Sequence, residues 1–362
     1  MPVLTLLGVG AAAQDIAAQN VTKSAPTMQT PMPCGIVEGD NCLARGCACS
    51  YGGRLEFDFL YWQAQNTGFM YGYEIKDPNA VAASNNIGSI MRLPAKWDPG
   101  FRIGAGWNTD YDHWDVFAGW TWFRDHATKS RSVTGVTGTL LGFAPMWPNM
   151  AASSPVWQHV HAGWHMWHNA CDLELGRAYY ITKHLSLRPH YGLRGGWIHQ
   201  KFTSSLTLPM TGSFSQLDFH GKNNFWGVGP RVGIQSNWHF CDNSWSVLGK
   251  ASTALLLGET RTRYRSESLA TGSTTFLTRH NVKDHFSQVV PNLQLFLGVD
   301  WSSCFNCDKY LLGINAGWEV NYYWNQFNIL SMNEAAALAP TAAFGNHAVS
   351  MEGLTVNLHF DF

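Results

Sequence analysis

The sequence predicts an all-β fold, an antiparallel up-and-down barrel that crosses a membrane with its strands. Three observations support this prediction. Charged residues make up only 14% of the 362 residues, aromatic residues make up another 14%, and the net charge is −1. No run of ~18 apolar residues is present that could form a transmembrane helix. Apolar side chains instead recur at alternate positions, as they do in strands with one face in lipid.

The composition excludes several other classes of protein. A hydrophobic content of 45% is too high for a disordered chain. The near-neutral charge argues against a nucleic-acid partner, because nucleic-acid-binding domains carry visibly basic surfaces. The sequence contains no phosphate-binding glycine loop, no G-x-S-x-G and no H-E-x-x-H. We therefore expect no cofactor, no metal ion and no enzymatic activity.

The N-terminal part of the chain differs in composition from the rest. Residues 1–13 resemble the apolar stretch and small-residue cleavage site of a secretory signal, although the positively charged start is missing. Residues 14–50 begin with Gln, Ala, Thr, Ser and Pro and end in a cysteine cluster, which predicts a flexible periplasmic lead-in. We therefore expect an exported chain whose barrel occupies residues 51–362.

The alternation of apolar and polar residues marks about ten strands. In the first of them, Leu55–Tyr61, the apolar residues alternate with Arg54, Glu56 and Asp58. The regular segments are 54–61, 101–108, 115–122, 185–197, 226–235, 312–322 and 354–362. Less regular segments lie near 162–182, 245–265 and 283–301. Similar alternation at 69–75 and 132–141 leaves a count of about twelve or more open.

The polar side chains between the apolar positions favour a membrane barrel over a soluble sandwich. A soluble sandwich usually presents Lys, Glu and Thr densely on its outer face, whereas here the second face carries many glycines with single Arg, Asn and Glu residues. Such residues suit the inside of a narrow, wet barrel. Trp and Tyr lie near the strand ends, as the two lipid interfaces require.

Short and long connections alternate along the chain. The short ones are 109–113, 183–184, 239–244 and 302–308. The long ones are 66–94, 127–161, 204–221, 266–282 and 325–350. Outer-membrane barrels have short periplasmic turns and long external loops, and an even strand count places both ends of the barrel on the periplasmic side. The spacing therefore predicts a barrel in a bacterial outer membrane.

The cysteines are expected to form disulfides, because the chain has eight of them and an exported protein meets an oxidising compartment. The predicted topology places seven at the periplasmic end: Cys34, Cys42, Cys47, Cys49, Cys241, Cys304 and Cys307. Only Cys171 lies within a strand. Bridges within one chain and bridges to a second copy or to other envelope proteins both stay open. A zinc site fits less well, because the paired C-x-x-C spacing is missing.

Charged side chains at inward-facing positions are the candidate functional residues. The basic candidates are Arg102, Arg188, Arg194 and Arg231, together with His190. The acidic candidates are Glu56, Asp58, Asp172, Glu174 and Glu319. A ring of arginines opposite carboxylates would line a pore and sort solutes by charge. The alternative is a set of buried ion pairs that brace a narrow barrel. The two signs balance, so the sequence leaves open whether anions or cations would be preferred.

Two further groups of residues are weaker candidates. Imidazoles at His159, His161, His165 and His168 could bind zinc or copper, but a wet segment running into the membrane interface is the preferred interpretation. Asp112 and His113 form the most suggestive catalytic pair, yet the topology places them in a periplasmic turn. Arg177 has outward parity, which requires either a bulge at Gly176 or a side chain that reaches to the interface.

Four runs of sequence carry a family resemblance: Gly53–Ala64, Lys96–Gly104, Asp172–Arg177 and Leu185–Ile198. They resemble the porins of the major-outer-membrane-protein type in Legionella and the Chlamydia-related bacteria, over roughly residues 50–362. The Cys34–Cys49 cluster resembles chlamydial members, which are cross-linked by disulfides. The resemblance implies an outer-membrane barrel that passes small solutes, and it carries no catalytic residues.

The chain ends in Phe362 after a run of alternating apolar residues. This ending resembles the signal that outer-membrane barrels present to the barrel-assembly machinery, so we expect that machinery and outer-membrane lipid as partners. We predict passive diffusion of small hydrophilic solutes, with a disulfide-linked role in the envelope. About ten strands make a narrow barrel, whereas open porins have ~16–18. A closed structural or adhesive barrel, and a soluble secreted β-protein, are the alternatives.

Overall fold

The computed structural model describes most of the predicted barrel. The described residues are 52–66, 70–75, 88–109, 112, 114–133, 142–145, 157–182, 184–209, 214–240, 244–306, 310–333 and 341–362. They belong to one compact unit, Asp40–Phe362. The predicted signal segment 1–13 and lead-in 14–50 lie outside them. The described part of the chain contains no helix long and apolar enough to cross a membrane.

The described residues form strands joined in one antiparallel sheet. In chain order the strands are β1 (Gly53–Asn66), β2 (Met70–Ile75), β3 (Gly88–Arg92), β4 (Trp97–Asn108), β5 (Trp114–Ser132), β6 (Gly142–Pro145), β7 (Trp157–Arg177), β8 (Tyr179–Tyr180), β9 (Leu185–Pro209), β10 (Phe214–His239), β11 (Trp245–Ala270), β12 (Phe276–Phe305), β13 (Tyr310–Asn333) and β14 (Thr341–Asp361).

Ten of these strands close into a ring, which confirms the predicted barrel and its strand count. The ring runs β1–β4–β5–β7–β9–β10–β11–β12–β13–β14 and returns to β1. At the closure Gly53 and Phe362 exchange two backbone hydrogen bonds, of 3.0 and 2.9 Å. The short strands β2, β3 and β6 pair with one another beside β7. The alternation at 69–75 therefore belongs to β2, outside the wall.

The two ends of the ring differ. At the turn end, where Gly53 and Phe362 lie, the connections between wall strands are short, as predicted. At the opposite, loop end, the predicted loops 204–221 and 266–282 are wrong in extent: β9 continues to Pro209, and β11 continues to Ala270. The alternation goes on there with mostly polar residues on the outer face, because a strand that has left lipid needs no apolar surface.

The outer face of the ring carries an apolar band between two belts of aromatic side chains. Leu55, Leu193, Leu257 and Leu297 are 52, 52, 60 and 66% exposed, in that order, on the outside of their strands. Exposed tryptophans border the band: Trp97, Trp197, Trp226 and Trp318 on the loop side, and Trp107, Trp238 and Trp245 on the turn side. This is the surface that a bilayer covers, with aromatic rings at its interfaces.

One segment of the wall leaves the ring at the loop end. The pairing of β13 with β12 stops at Tyr323, and a register shift follows before Phe327, with Asn325 at a φ of 54°. Beyond this bulge β13 pairs with β14 up to Asn333↔Thr341. Among the described residues, this stretch pairs with neither β12 nor β1. We call the described residues of this stretch, 324–333 and 341–348, the flap.

The cysteines are only partly described. Cys304 lies within β12, opposite Leu311, and not in the turn that the sequence predicted. It is disulfide-bonded. Cys171 is a free, exposed cysteine on the outer face of β7. Predicted partners Cys34, Cys42, Cys47, Cys49, Cys241 and Cys307 lie outside the described residues.

Replacing Leu297 by Arg should destabilise the lipid-inserted protein by about 2–4 kcal/mol, because the charge enters the apolar band. Ser287 has the same outward parity on β12, beyond the band, and Ser287→Arg is the control with little expected effect. Urea unfolding in lipid vesicles measures both. Equal stability of the two variants would mean that the outer face of β12 meets water at both positions, as in a soluble β-protein.

Candidate functional site: the charged lumen

The inward-facing side chains at the turn end enclose a cavity of about 870 Å³. Its wall reaches the turn end at Thr109, Asp112, Tyr180, His239 and Ser302. Nine of the ten candidate residues from the sequence line this cavity: Glu56, Asp58, Arg102, Asp172, Glu174, Arg188, His190, Arg231 and Glu319. The tenth, Arg194, is only 2% exposed and lies behind its neighbours. Their role in solute passage stays a prediction.

Arg102 on β4 joins two carboxylates. Its Nη1 lies 2.7 Å from Asp58 Oδ2 on β1, and its Nη2 lies 2.7 Å from Glu319 Oε1 on β13. Glu319 is 1% exposed and also accepts hydrogen bonds from Asn321 and Thr355, of 3.0 and 2.9 Å. A buried carboxylate with this many donors is held in one position.

Asp172 on β7 forms the centre of a second cluster. Arg194 binds it through two hydrogen bonds, Nε to Oδ1 at 2.6 Å and Nη2 to Oδ2 at 2.8 Å. Arg231 Nη1 lies 2.6 Å from the same Oδ2, and Arg231 Nη2 lies 3.2 Å from Glu174 Oε1. Two guanidinium groups thus share one carboxylate, and the second acid balances them.

A third group of charges lies closer to the turn end. Arg188 on β9 pairs with Asp115 on β5, and its Nη1 lies 3.5 Å from Glu174 Oε2. The same Glu174 oxygen is 3.8 Å from His190 Nε2. Glu174 therefore lies between the Asp172 cluster and the Arg188 pair, and it links them along the lumen wall.

Gln294 on β12 connects the clusters across the lumen. Its Oε1 accepts hydrogen bonds from Arg194 at 2.6 Å and from Arg231 at 3.0 Å. Its Nε2 donates to Glu319 Oε1 at 2.7 Å. A continuous network therefore runs from Asp58 on β1 to Asp172 on β7 through residues of five other strands. The pore-lining and bracing interpretations apply to the same side chains.

Sequence reasoning missed several charges of the cavity. Arg54 and Lys250 add positive charge, while Asp112, Asp115, Asp300 and Asp361 add negative charge. Arg54 Nε lies 2.6 Å from Glu56 Oε1. Arg54 and Asp115 share the inward parity that selected the other candidates, so the same signal could have found them. Among the described residues, five cationic and nine acidic side chains line the cavity. Two of the acids, Asp172 and Asp112, are also bound by arginines outside the lining, Arg194 and Arg177, and acidic side chains remain in excess.

The lumen changes character toward the loop end. Inward-facing apolar side chains there are almost fully buried against one another: Leu60, Trp62, Phe123, Trp164, Met166, Ile198, Phe225, Leu256, Val290 and Met351. The rings of Trp62 and Phe123 lie 5.5 Å apart, and the guanidinium of Arg102 lies 5.9 Å from the Trp62 ring. This layer of packed side chains, the apolar layer, closes the described lumen above the charged network.

Amide side chains hold the flap within the lumen. Gln200 on β9 and Asn223 on β10 donate hydrogen bonds of 3.2 and 2.8 Å to the backbone oxygen of Gln326. Gln288 on β12 donates one of 3.2 Å to the backbone oxygen of Asn325. The β13 bulge turns the carbonyl of Gln326 toward the opposite wall and that of Asn325 toward the neighbouring strand β12. Within the described lumen, the flap therefore completes the closure at the loop end.

The clustered histidines do not share one face of the wall. His159 and His161 hydrogen-bond Ser132 and Ser130 on the outside of the wall, while His168 faces inward to Tyr323 at 3.0 Å. No group of three metal-ligating side chains lies close enough to hold a metal in the described part of the chain. His113 lies outside the described residues.

Arg177 projects to the outside of the wall without a bulge. The pairing of β7 with β9 is regular through Gly176. Arg177 Nη2 lies 2.6 Å from Asp112, and its guanidinium is 5.0 Å from the ring of Tyr179. The side chain therefore reaches along the aromatic belt at the turn end.

A family model decides the classification. The model described as Legionella pneumophila major outer membrane protein precursor matches residues 51–362. The chain belongs to this family. It is therefore a protein of the bacterial outer membrane, and the predicted family and location are confirmed. In such barrels the short turns face the periplasm, so the turn end is the periplasmic end.

Comparison with individually curated proteins found no match. Among solved structures, the outer membrane protease OmpT of Escherichia coli is 9% identical, with 86% of this chain and 97% of that chain covered and a TM-score of 0.42. The toluene transporter TodX of P. putida is 8% identical, with 89% and 93% covered and a TM-score of 0.29. These similarities are too distant to support an argument about function.

Replacing Glu319 by Ala should destabilise the barrel by about 3 kcal/mol, because it removes a buried partner of the half-buried Arg102 and leaves donors unpaired. Glu259 also pairs with an arginine, Arg261, but on the outer face beyond the apolar band. Glu259→Ala is the matched control and should leave stability almost unchanged. Unfolding in urea measures both. Equal midpoints would show that the lumen network contributes no more than a surface pair.

Proposed function

We propose that this protein is a porin-type channel of low flux, through which small hydrophilic solutes cross the outer membrane by passive diffusion. The observation that carries the proposal is the charged cavity, which fills the periplasmic half of the lumen and reaches the turn end. Family membership supports the same role. No catalytic step is part of the proposal, and no cofactor is required.

The charge of the cavity supports a preference for cations. Nine acidic and five cationic side chains line it. Several arginines are already bound to carboxylates within the network. Asp300 instead accepts a hydrogen bond of 3.3 Å from the hydroxyl of Ser246, and no arginine of the described residues lies within ion-pair distance of it. A surplus of acidic side chains in a narrow, low-dielectric lumen raises the local concentration of cations.

The flap and the apolar layer, which together close the described lumen, are proposed as the gate of this channel, with the flap as its movable part. The flap is held by three amide hydrogen bonds to carbonyls of Asn325 and Gln326, and its described residues are released from pairing with β12. Each such bond contributes only about 1 kcal/mol net. A movement of the flap away from Gln200 and Asn223 would therefore cost little compared with opening the ring itself.

Single-channel recording in planar lipid bilayers tests the gate. Replacing Gln200 and Asn223 together by Ala removes two hydrogen bonds to the flap and should raise the open probability roughly 30-fold. Current reversal in a KCl gradient should show cation preference in both proteins. The matched control is Gln235→Ala with Asn237→Ala, an equal change at the periplasmic wall of the cavity, which should leave the open probability unchanged.

Two outcomes would contradict the proposal. A channel would be excluded if the wild-type protein and the flap variant both insert into the bilayer and keep their heat-resistant mobility in detergent gels, and still give no current steps. If the cavity-wall control raised the open probability by the same factor as the flap variant, the increase would not depend on the flap, and the flap would not be the gate.

A closed structural barrel is the second candidate function. The apolar layer favours it, because side chains such as Leu60, Trp62 and Ile198 have no exposed surface at all. A lumen packed to this degree stabilises the ring in the way that a protein core does. Absence of conductance in the flap variant, with correct folding, is the result that this candidate predicts.

The cysteines at the periplasmic end are proposed to link the barrel to itself, to a second copy or to other envelope proteins. The bonded state of Cys304 at this end supports the proposal. The exposed C-terminal Phe362, which stacks on Phe360 with ring centroids 5.7 Å apart, is proposed as the contact for the barrel-assembly machinery. Both proposals concern surfaces at the turn end.

Electrophoresis of cell envelopes without reductant tests the linkage. Replacing Cys34, Cys42, Cys47 and Cys49 together by Ser should remove species of higher mass that reductant also removes in the wild type. Cys171→Ser is the control and should change nothing, because Cys171 is a free cysteine on the membrane face. A wild-type protein that migrates identically with and without reductant would contradict a linking role.

A further inference from the structure

Four cationic side chains form one row on the outside of the wall at the loop end. Lys201 on β9 lies directly opposite Lys222 on β10, Lys222 opposite Arg263 on β11, and Arg263 opposite Lys283 on β12. All four side chains are exposed and face away from the lumen. We call these four residues the basic row.

The basic row lacks the acidic partners that its neighbours have. Arg261 donates to Glu259 at 3.0 Å, which lowers the pKa of the Glu259 carboxyl, and Arg265 pairs with Glu267. Arg263, between them on the same strand, donates a hydrogen bond of 3.3 Å to the amide oxygen of Asn281. In the described part of the chain no carboxylate lies within ion-pair distance of the four cations.

Like charges directly opposite one another on neighbouring strands repel and destabilise a sheet. Four in succession are a costly arrangement unless an anion lies between them. Strands are about 4.8 Å apart, so the row is about 14 Å long. That length accommodates a headgroup with two phosphates, each of which accepts charge-assisted hydrogen bonds from neighbouring side chains.

The height of the row places it at the lipid headgroups. Trp197 and Trp226 are directly paired in the aromatic belt at the external edge of the apolar band. Lys201 and Lys222 follow them on the same face, two outward positions further along each strand. At ~3.3 Å per residue and a tilt of ~40°, the row lies about 10 Å beyond the belt. Long basic side chains extend over such distances.

We propose that the basic row binds the phosphate groups of a glycolipid in the outer leaflet of the membrane. The lipid chains would pack on the apolar band below, beside Leu257 and Val289, which are 60 and 46% exposed. The headgroup phosphates would lie between the cations of neighbouring strands and neutralise their repulsion. The site is on the membrane face of the barrel and is independent of conduction through the lumen.

Native mass spectrometry of the full chain in dodecyl maltoside micelles tests the site. The probes are bisphosphorylated lipid A, the same lipid without phosphates, and inorganic pyrophosphate. The Lys222→Gln, Arg263→Gln double variant should bind bisphosphorylated lipid A at least tenfold more weakly than the wild type. Arg92→Gln with Lys129→Gln removes two exposed cations from β3 and β5 and should bind it as the wild type does.

Three results would overturn the proposal. Equal binding of the lipid without phosphates would leave only hydrophobic contact, and equal weakening by the control would reduce the effect to net charge. Tight binding of inorganic pyrophosphate without binding of bisphosphorylated lipid A would make the basic row a site for a soluble phosphate. If the first variant fails to fold, Lys201→Gln with Lys283→Gln removes the two ends of the row and should give the same loss.

Discussion

Closure of the ring by β1 and β14 is the constraint on which the rest of the structure depends. In hydrocarbon every backbone amide must find its partner within the protein, so a strand edge in the membrane is not tolerated. The register from Arg54↔Asp361 to Asn66↔Val349 provides that closure between the two ends of the barrel sequence. With ten strands in the ring, the lumen is so narrow that side chains from opposite walls meet.

The narrow lumen explains why its two halves differ in polarity. Charges that face one another across a small space must pair, since isolated ions there would be poorly solvated. Arg102, Arg194 and Arg231 satisfy this requirement through carboxylates and through the shared amide of Gln294. Toward the loop end, where Trp62 and Ile198 face inward, packing replaces pairing. The barrel thus has a charged cavity in its periplasmic half and a layer of packed apolar side chains in its external half.

The strands continue beyond the lipid, and there the constraints relax. Backbone groups outside hydrocarbon can bond to water, so β13 can leave β12 above Tyr323 and bend into the lumen. For the same reason the outer face of β9–β12 changes from apolar residues to charged ones. The flap and the basic row both lie in this zone. A change of solvent along the strand therefore accounts for the features to which we assign gating and lipid binding.

The sequence alone determined the ring and the direction of most side chains. A period of two, sustained through segments such as Leu55–Tyr61, assigns one face to lipid and the other to the lumen, and it identified nine residues that line the cavity. It did not identify Lys250, whose strand alternates less regularly, and it mistook the polar ends of β9–β12 for loops. The tertiary structure alone decided which charges meet. Arg102 and Glu319 are 217 positions apart, and only the closure and register of the ring bring them together. The inward turn of the flap depends likewise on amides from the opposite wall, because no local pattern encodes a contact across the lumen.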